Sequence, residues 1–138
     1  MMSIFLFLTV LIPISDQHAI DGVWLSSDKE VKIRIFKKSN QLYYGKVIWF
    51  LENPAHGKYP HDLKNPNPLL RQRKILDIEI LQDFRFDTRT CQWKNGTIYH
   101  PQQGKTYKGL LWIEGGKLFI RGYWGPLYRT NEWTKVLE

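Results

Sequence analysis

Apolar Val31, Ile33 and Ile35 alternate with cationic Lys32 and Arg34 over Val31–Lys37, a period of two that predicts a β-strand with one face turned inward. Ser39-Asn40-Gln41 reads as a turn, and residues 42–51 as a longer aromatic strand that forms a hairpin with the first. Alternation resumes at residues 75–86, with Leu76, Ile78 and Ile80 on one face and Asp77 and Glu79 on the other. Residues 90–94 read as a short strand running into Asn95-Gly96, the strongest hairpin signal in the chain, answered by a strand at 96–99. His100-Pro101-Gln102-Gln103-Gly104 then leads to strands at 106–114 and Lys117–Trp124, joined by Gly115-Gly116, and Gly125-Pro126 turns the chain into a last strand at 128–136. No segment carries a 3.6-residue apolar stripe of helix length. With Asp21-Gly22-Val23-Trp24 opening the domain, the count is eight or nine strands, mostly hairpin-linked. This predicts an all-β antiparallel barrel or a two-sheet sandwich, and closure into a barrel has the advantage of removing exposed strand edges.

One stretch breaks the pattern. Residues 52–74 form a connection whose centre, from Asp62 to Arg73, holds Pro66 and Pro68; these remove two backbone donors and push Asn65 and Asn67 toward extended geometry, which excludes a helix and a central strand. A connection this long in a compact domain is usually functional or disordered. Leu69, Leu70 and the mixed charges of Asp62, Lys64, Arg71 and Arg73 argue for order: a loop folded over one barrel end, pinned by Asp62, Asn65 and Pro66.

At 138 residues and 43% hydrophobic content, the chain suits one domain with a single core. Residues 4–14 form a nearly unbroken apolar run, too short for a membrane span and of a length that suits a secretory signal; the alternative is a buried first strand. Residues 1–19 are therefore read as a signal peptide and 20–138 as the domain, which implies a periplasmic or secreted protein with no stable membrane span after signal removal. Removing them takes away one acid, Asp16, and no Lys or Arg, so the net charge rises from +7 to +8. A basic protein can meet nucleic acid, anionic membrane surfaces or acidic small molecules. The charges here are dispersed and no ribonucleoprotein or zinc-finger motif is present, so nucleic acid is set aside. Cys91, the only cysteine, excludes an intrachain disulfide and reads as a packed small side chain.

Few motifs survive inspection. Gly104-Lys105-Thr106 resembles the end of a phosphate-binding loop, but Tyr99 stands where its first glycine belongs. Asn95-Gly96-Thr97 matches a glycosylation acceptor that a hairpin turn also explains. His56, His61 and His100 share no face suited to a metal, and no cofactor is expected. What remains is a set of cationic and aromatic residues on strands. In a barrel half the side chains point inward, where an Arg or Lys is costly unless paired or facing a ligand; the plainer reading is that these cations coat the outside.

Gly22-Val23-Trp24, the run Tyr44 through Trp49, the Asp62 through Arg71 loop, Gly96 through Tyr107, Arg121-Gly122-Tyr123 and Arg129 through Trp133, taken in order, resemble the bacterial domain-of-unknown-function family 2147. The resemblance implies an exported protein with a barrel similar to the lipocalins and calycins, with Gly22, Trp24, Gly104, Gly122 and Trp133 in structural roles. It further implies that Trp24 plugs one barrel end beneath Arg129 or Lys135. The chain departs from the family pattern at Asp77, where a glycine is usual, and at His100, where an acid is usual.

The expected function is that of a carrier or sensor without enzymatic activity, binding a small amphipathic molecule with an acidic or polar group. Lys46, Arg71, Arg121 and Arg129 are the expected polar contacts, and Trp49, Tyr99, Tyr107 and Tyr123 the walls. The alternative is a filled barrel acting through its outer surface on an envelope protein partner.

Overall fold

The computed structural model describes residues 16–52 and 61–138. The predicted export segment up to residue 15, and His56, lie outside the described residues. Eight strands follow one another: β1 (Gly22–Ser26), β2 (Val31–Lys37), β3 (Tyr43–Phe50), β4 (Glu79–Asp87), β5 (Gln92–His100), β6 (Lys105–Glu114), β7 (Lys117–Trp124) and β8 (Leu127–Val136). Each pairs antiparallel with the next, and β8 returns to β1 to close the barrel. The strands therefore alternate up and down. The β2–β3, β4–β5 and β6–β7 turns gather at one end, the floor; the β1–β2, β5–β6 and β7–β8 turns and the long β3–β4 connection gather at the other, the mouth.

The floor is closed by apolar packing. A short 3-10 turn, Gln17–Ile20, brings Ile20 into the core, and the Trp24 indole donates to the Ile20 carbonyl at 2.9 Å. Lys135 lies 4.7 Å from the centre of the Trp24 ring and donates to the Asp21 carbonyl, so it is Lys135 and not Arg129 that covers the plug. Gly22 makes room for it, since a Cβ there would stand 2.6 Å from the Lys135 ammonium. Tyr43, Phe84, Trp93, Leu111 and Leu118 fill the barrel above, each at most 1% exposed.

The hairpin expected at Asn95-Gly96 does not form. β5 runs through it unbroken, and the register against β6 slips by one residue between Trp93 and Gly96, a bulge with Asn95 at φ 65°. Packing overrides the local turn preference: a Cβ on Gly96 would stand 2.4 Å from the Phe84 ring, and one on Gly109 of β6 2.7 Å from the same ring. The reversal comes earlier, where the Asp87 carboxylate accepts from the Arg89 amide at 2.8 Å and Cys91, at φ 55°, donates its amide to the Asp87 carbonyl at 2.7 Å. β4 likewise starts at Glu79 rather than at residue 75, because Asp77 takes φ 71° in a turn hydrogen-bonded to Val47 of β3. That conformation suits the glycine usual at this position in the resembling family.

The long connection is ordered where it is described. His61 bridges to Lys74, and Pro68–Leu70 forms a 3-10 turn capped by the Asn67 side chain. Pro66 sits exposed between the two asparagines, and the Asn65 side chain accepts from the Asn67 amide at 2.8 Å. At the centre is the fully buried Asp62 carboxylate, which accepts from Asn65 Nδ2 at 2.8 Å, from Arg73 Nε and Nη2 at 2.9 Å each, and from the Tyr99 hydroxyl of β5. Gly104 admits the loop backbone to the β5–β6 turn: a Cβ there would lie 1.9 Å from the Lys64 carbonyl oxygen. Burial first, then the Asp62 hydrogen bond and charge, pushes the Tyr99 phenol up to about 12. Its stabilising share is complete below the ordinary tyrosine value of about 10 and is lost as pH climbs toward the folded value.

Two outcomes are expected. Gly96→Ala destabilises the barrel by about 1–3 kcal/mol in urea unfolding by overpacking against Phe84, and adding Phe84→Leu recovers part of that loss; no recovery would mean that the ring is not the obstacle. Asp62→Ala leaves buried donors unpartnered at a cost of about 1–3 kcal/mol. Amide hydrogen exchange then quickens within residues 61–74 while the floor half of the barrel stays protected, a local opening and not a global one.

Candidate functional site

Cross-strand partners share a face of the sheet. Leu118 and Ile120 lie in the core, so their β8 partners Trp133 and Asn131 face inward, and so does Arg129, the partner of Gly122. On β6, Gly109 and Leu111 face inward, which places Tyr107 on the inner face beside Ile98 of β5, with His100 two residues further along. On β5, β6 and β8 the inner face toward the mouth thus carries His100, Lys105, Tyr107, Arg129 and Asn131, and on β2 and β3 it carries Val31 and Phe50. Arg129 and Asn131 lie mouthward of Trp133, where pairing with β1 ends, so their inward face is exposed at the rim above the closed barrel.

This rim is cationic. Burial in the barrel, and then the nearby charge of Arg129, hold the His100 imidazole below its ordinary value. Nδ1 of His100 and Nε1 of Trp133 are buried and have no hydrogen-bond partner among the described residues. Tyr107 donates to the Gln103 side chain at 2.5 Å and shares with Lys105, Lys108, Tyr123 and Trp124 a rim cleft of about 470 Å³.

The same registers turn several expected interior contacts outward. Lys46 pairs with Arg34 and Glu79 on the outer face and lies 5.9 Å from the Phe36 ring. Trp49 stands beside Lys32, whose ammonium is 5.1 Å from its ring. Arg121 donates to Thr130 Oγ1 at 2.8 Å and stacks 4.2 Å from Tyr128 and 4.9 Å from Trp112. Tyr123 lies 6.0 Å from Tyr128 on that surface and reaches the site only through the rim cleft. Lys46, Trp49 and Arg121 are therefore corrected to outer cladding, where a cation is hydrated on one side and held by an aromatic face on the other.

Arg71 and Tyr99 belong to the loop. Arg71 Nε donates to the Asn65 carbonyl at 2.8 Å, and Tyr99 is bound to Asp62. Gly122 is not required by space, since a Cβ there would make ordinary 3.6 Å contact with Tyr107. Of the expected ligand contacts, the structure brings Tyr107 and Arg129 to the inner wall; His100 and Asn131 were not among them. Their signal was positional: residues 129, 131 and 133 alternate along the last strand, but the face they occupy follows from pairing with β7. No cluster of metal-ligating side chains occurs among the described residues.

Among curated proteins none matches this chain. A solved structure similar to it is that of protein HP1028 from the human pathogen Helicobacter pylori, described as belonging to the lipocalin family, with a TM-score of 0.72, 21% identity, and coverage of 86% of this chain and 84% of that one. The likeness establishes a lipocalin-like fold for the closed eight-stranded barrel. Residues 22–135 match the family described as "Uncharacterized protein conserved in bacteria (DUF2147)". A match that runs from the first barrel strand into the last settles the descent of the chain, which belongs to the DUF2147 family.

Proposed function

We propose that the protein is an exported carrier or sensor, not an enzyme, that holds one small amphipathic molecule in the mouth half of its barrel. The carrying observation is that Arg129 and Asn131 stand on the inward face of the rim, open to water and near His100 and Tyr107, above a floor half that is packed solid. A hydrated cation on an inner wall can pair with an anion entering from solvent, and the groups around it suit an acidic or polar head: the Asn131 amide, the Tyr107 ring and the unpartnered nitrogens of His100 and Trp133. Ile98, half-buried beside Tyr107, presents apolar surface to the other end of the molecule. Export to the periplasm or medium is supported by the apolar run at residues 4–14.

Native mass spectrometry of the protein purified gently from its own cell envelope or medium, compared with the denatured sample, is expected to show a discrete added mass that denaturation removes. Arg129→Gln should weaken retention of that molecule by about tenfold or more, the loss of one hydrogen bond to a charged partner. A protein that carries no small molecule overturns the reading, and unchanged retention in the variant removes Arg129 from the site.

The imidazole supplies a second check. The folded state holds the His100 value below that of the unfolded chain, so the unfolded state takes up the proton first as pH falls. Stability from this group is complete above the unfolded value of about 6.5 and declines as pH falls through the folded one. His100→Gln is expected to flatten the loss of stability between neutral and mildly acidic pH in urea titrations.

A further inference from the structure

The two ends of the barrel differ in what they show to solvent. Among the described residues, nine of ten exposed large hydrophobic side chains lie on strand ends and connections of the mouth end, and the tenth, Leu137, lies at the floor end. They form two projections. Leu69, 89% exposed, and Leu70 cap the long loop; Trp124, Leu127 and Tyr128, at 69%, 62% and 61%, surround the Gly125-Pro126 turn of the β7–β8 hairpin. The hairpin stands above the rest of the wall, because β1 pairs only with the Trp133–Val136 end of β8.

Cations surround the hairpin tip. Lys105 lies 5.8 Å from the Trp124 ring, and Lys108 lines the same rim cleft; Arg121 stacks on Tyr128, and Arg129 is two residues from Leu127. None of the four forms an ion pair with a carboxylate among the described residues. Residues 100–108 and 123–131 contain no Asp or Glu, and the acids of this end sit instead on the β1–β2 turn and the long connection.

We propose that the mouth end is a docking surface for an anionic lipid bilayer, with Trp124, Leu127 and Tyr128 entering the interface and Lys105 and Lys108 meeting headgroup phosphates. Trp and Tyr settle at membrane interfaces because one edge is apolar and the other polar, and each nearby Lys or Arg adds attraction to anionic lipid. Five exposed apolar residues on two turns are too few for a stable protein interface, which takes about 20–30 residues a side, whereas a fluid bilayer needs no complementary shape. No helix among the described residues is long and apolar enough to cross a membrane, so the contact is peripheral. It is independent of the ligand reading, which is tested without lipid.

Co-sedimentation of the purified protein with vesicles of phosphatidylcholine alone, or of phosphatidylcholine mixed with phosphatidylglycerol, is the test. Binding is expected only to the mixed vesicles and is released by raised salt. Trp124→Ser with Leu127→Ser, and separately Lys105→Gln with Lys108→Gln, should each lower partitioning about tenfold, while Leu137→Ser leaves it unchanged. The substituted side chains are exposed, so thermal unfolding should match the wild type. Failure to bind mixed vesicles at low salt, or equal binding to both vesicle types, overturns the proposal. So does a concentration-dependent dimer in size-exclusion chromatography that is lost with Trp124→Ser and Leu127→Ser, which assigns the tip to a second copy.

Discussion

The Phe84 ring occupies the space where side chains of residues 96 and 109 would begin. An eight-stranded barrel has a fixed and narrow interior, so a ring this size lies across the neighbouring strands β5 and β6 only if they give up Cβ atoms at its position. The rest of the structure follows from that contact. It holds β5 straight through a sequence that favours a turn, moves the extra residue into a bulge at Asn95, and tops a solid column of Trp24, Tyr43, Trp93, Leu111 and Leu118. Above Phe84 the core continues through Leu81, Val47 and Ile33, while the mouth ends of β5, β6 and β8 carry polar and half-exposed side chains.

The mouth is bounded by a second constraint, the buried Asp62 carboxylate. A charge with no exposure is tolerable only with its lone pairs occupied, and Asp62 has donors from its own loop and from Tyr99 of β5. The network converts a proline-interrupted connection into a fixed rim, which Gly104 lets approach the β5–β6 turn. It scaffolds the mouth, and Arg71 and Tyr99 are engaged in holding it.

Most cations of this basic chain are placed by the outer surface. Lys32 over Trp49, Lys38 over Tyr44 at 3.9 Å, and Arg121 over Trp112 and Tyr128 form a cladding in which aliphatic stems and charged heads cover aromatic faces. Arg129 differs because its strand neighbours turn it inward, and Lys105 and Lys108 differ because they border an exposed apolar tip. The ligand reading and the membrane reading thus rest on separate cations at the same end, and together they describe a barrel whose opening faces an apolar, negatively charged boundary.

The sequence by itself determined the class of fold and most strand positions, because alternation with a period of two is local and survives without tertiary context. It also marked the Asp62 to Arg73 stretch as an ordered loop, since proline geometry and mixed charge are likewise local. The blocks from Gly22 to Trp133 were enough for the family. Only the tertiary structure decided which of two alternating faces was the inner one: a one-residue bulge exchanges them, and the bulges at Asn95 and in β3 were set by ring packing and pairing rather than by nearby residues. Lys46, Trp49 and Arg121, read as interior contacts, lie on the outer face, while His100 and Asn131 lie on the inner one. Facing is a property of the closed sheet, and no single strand contains it.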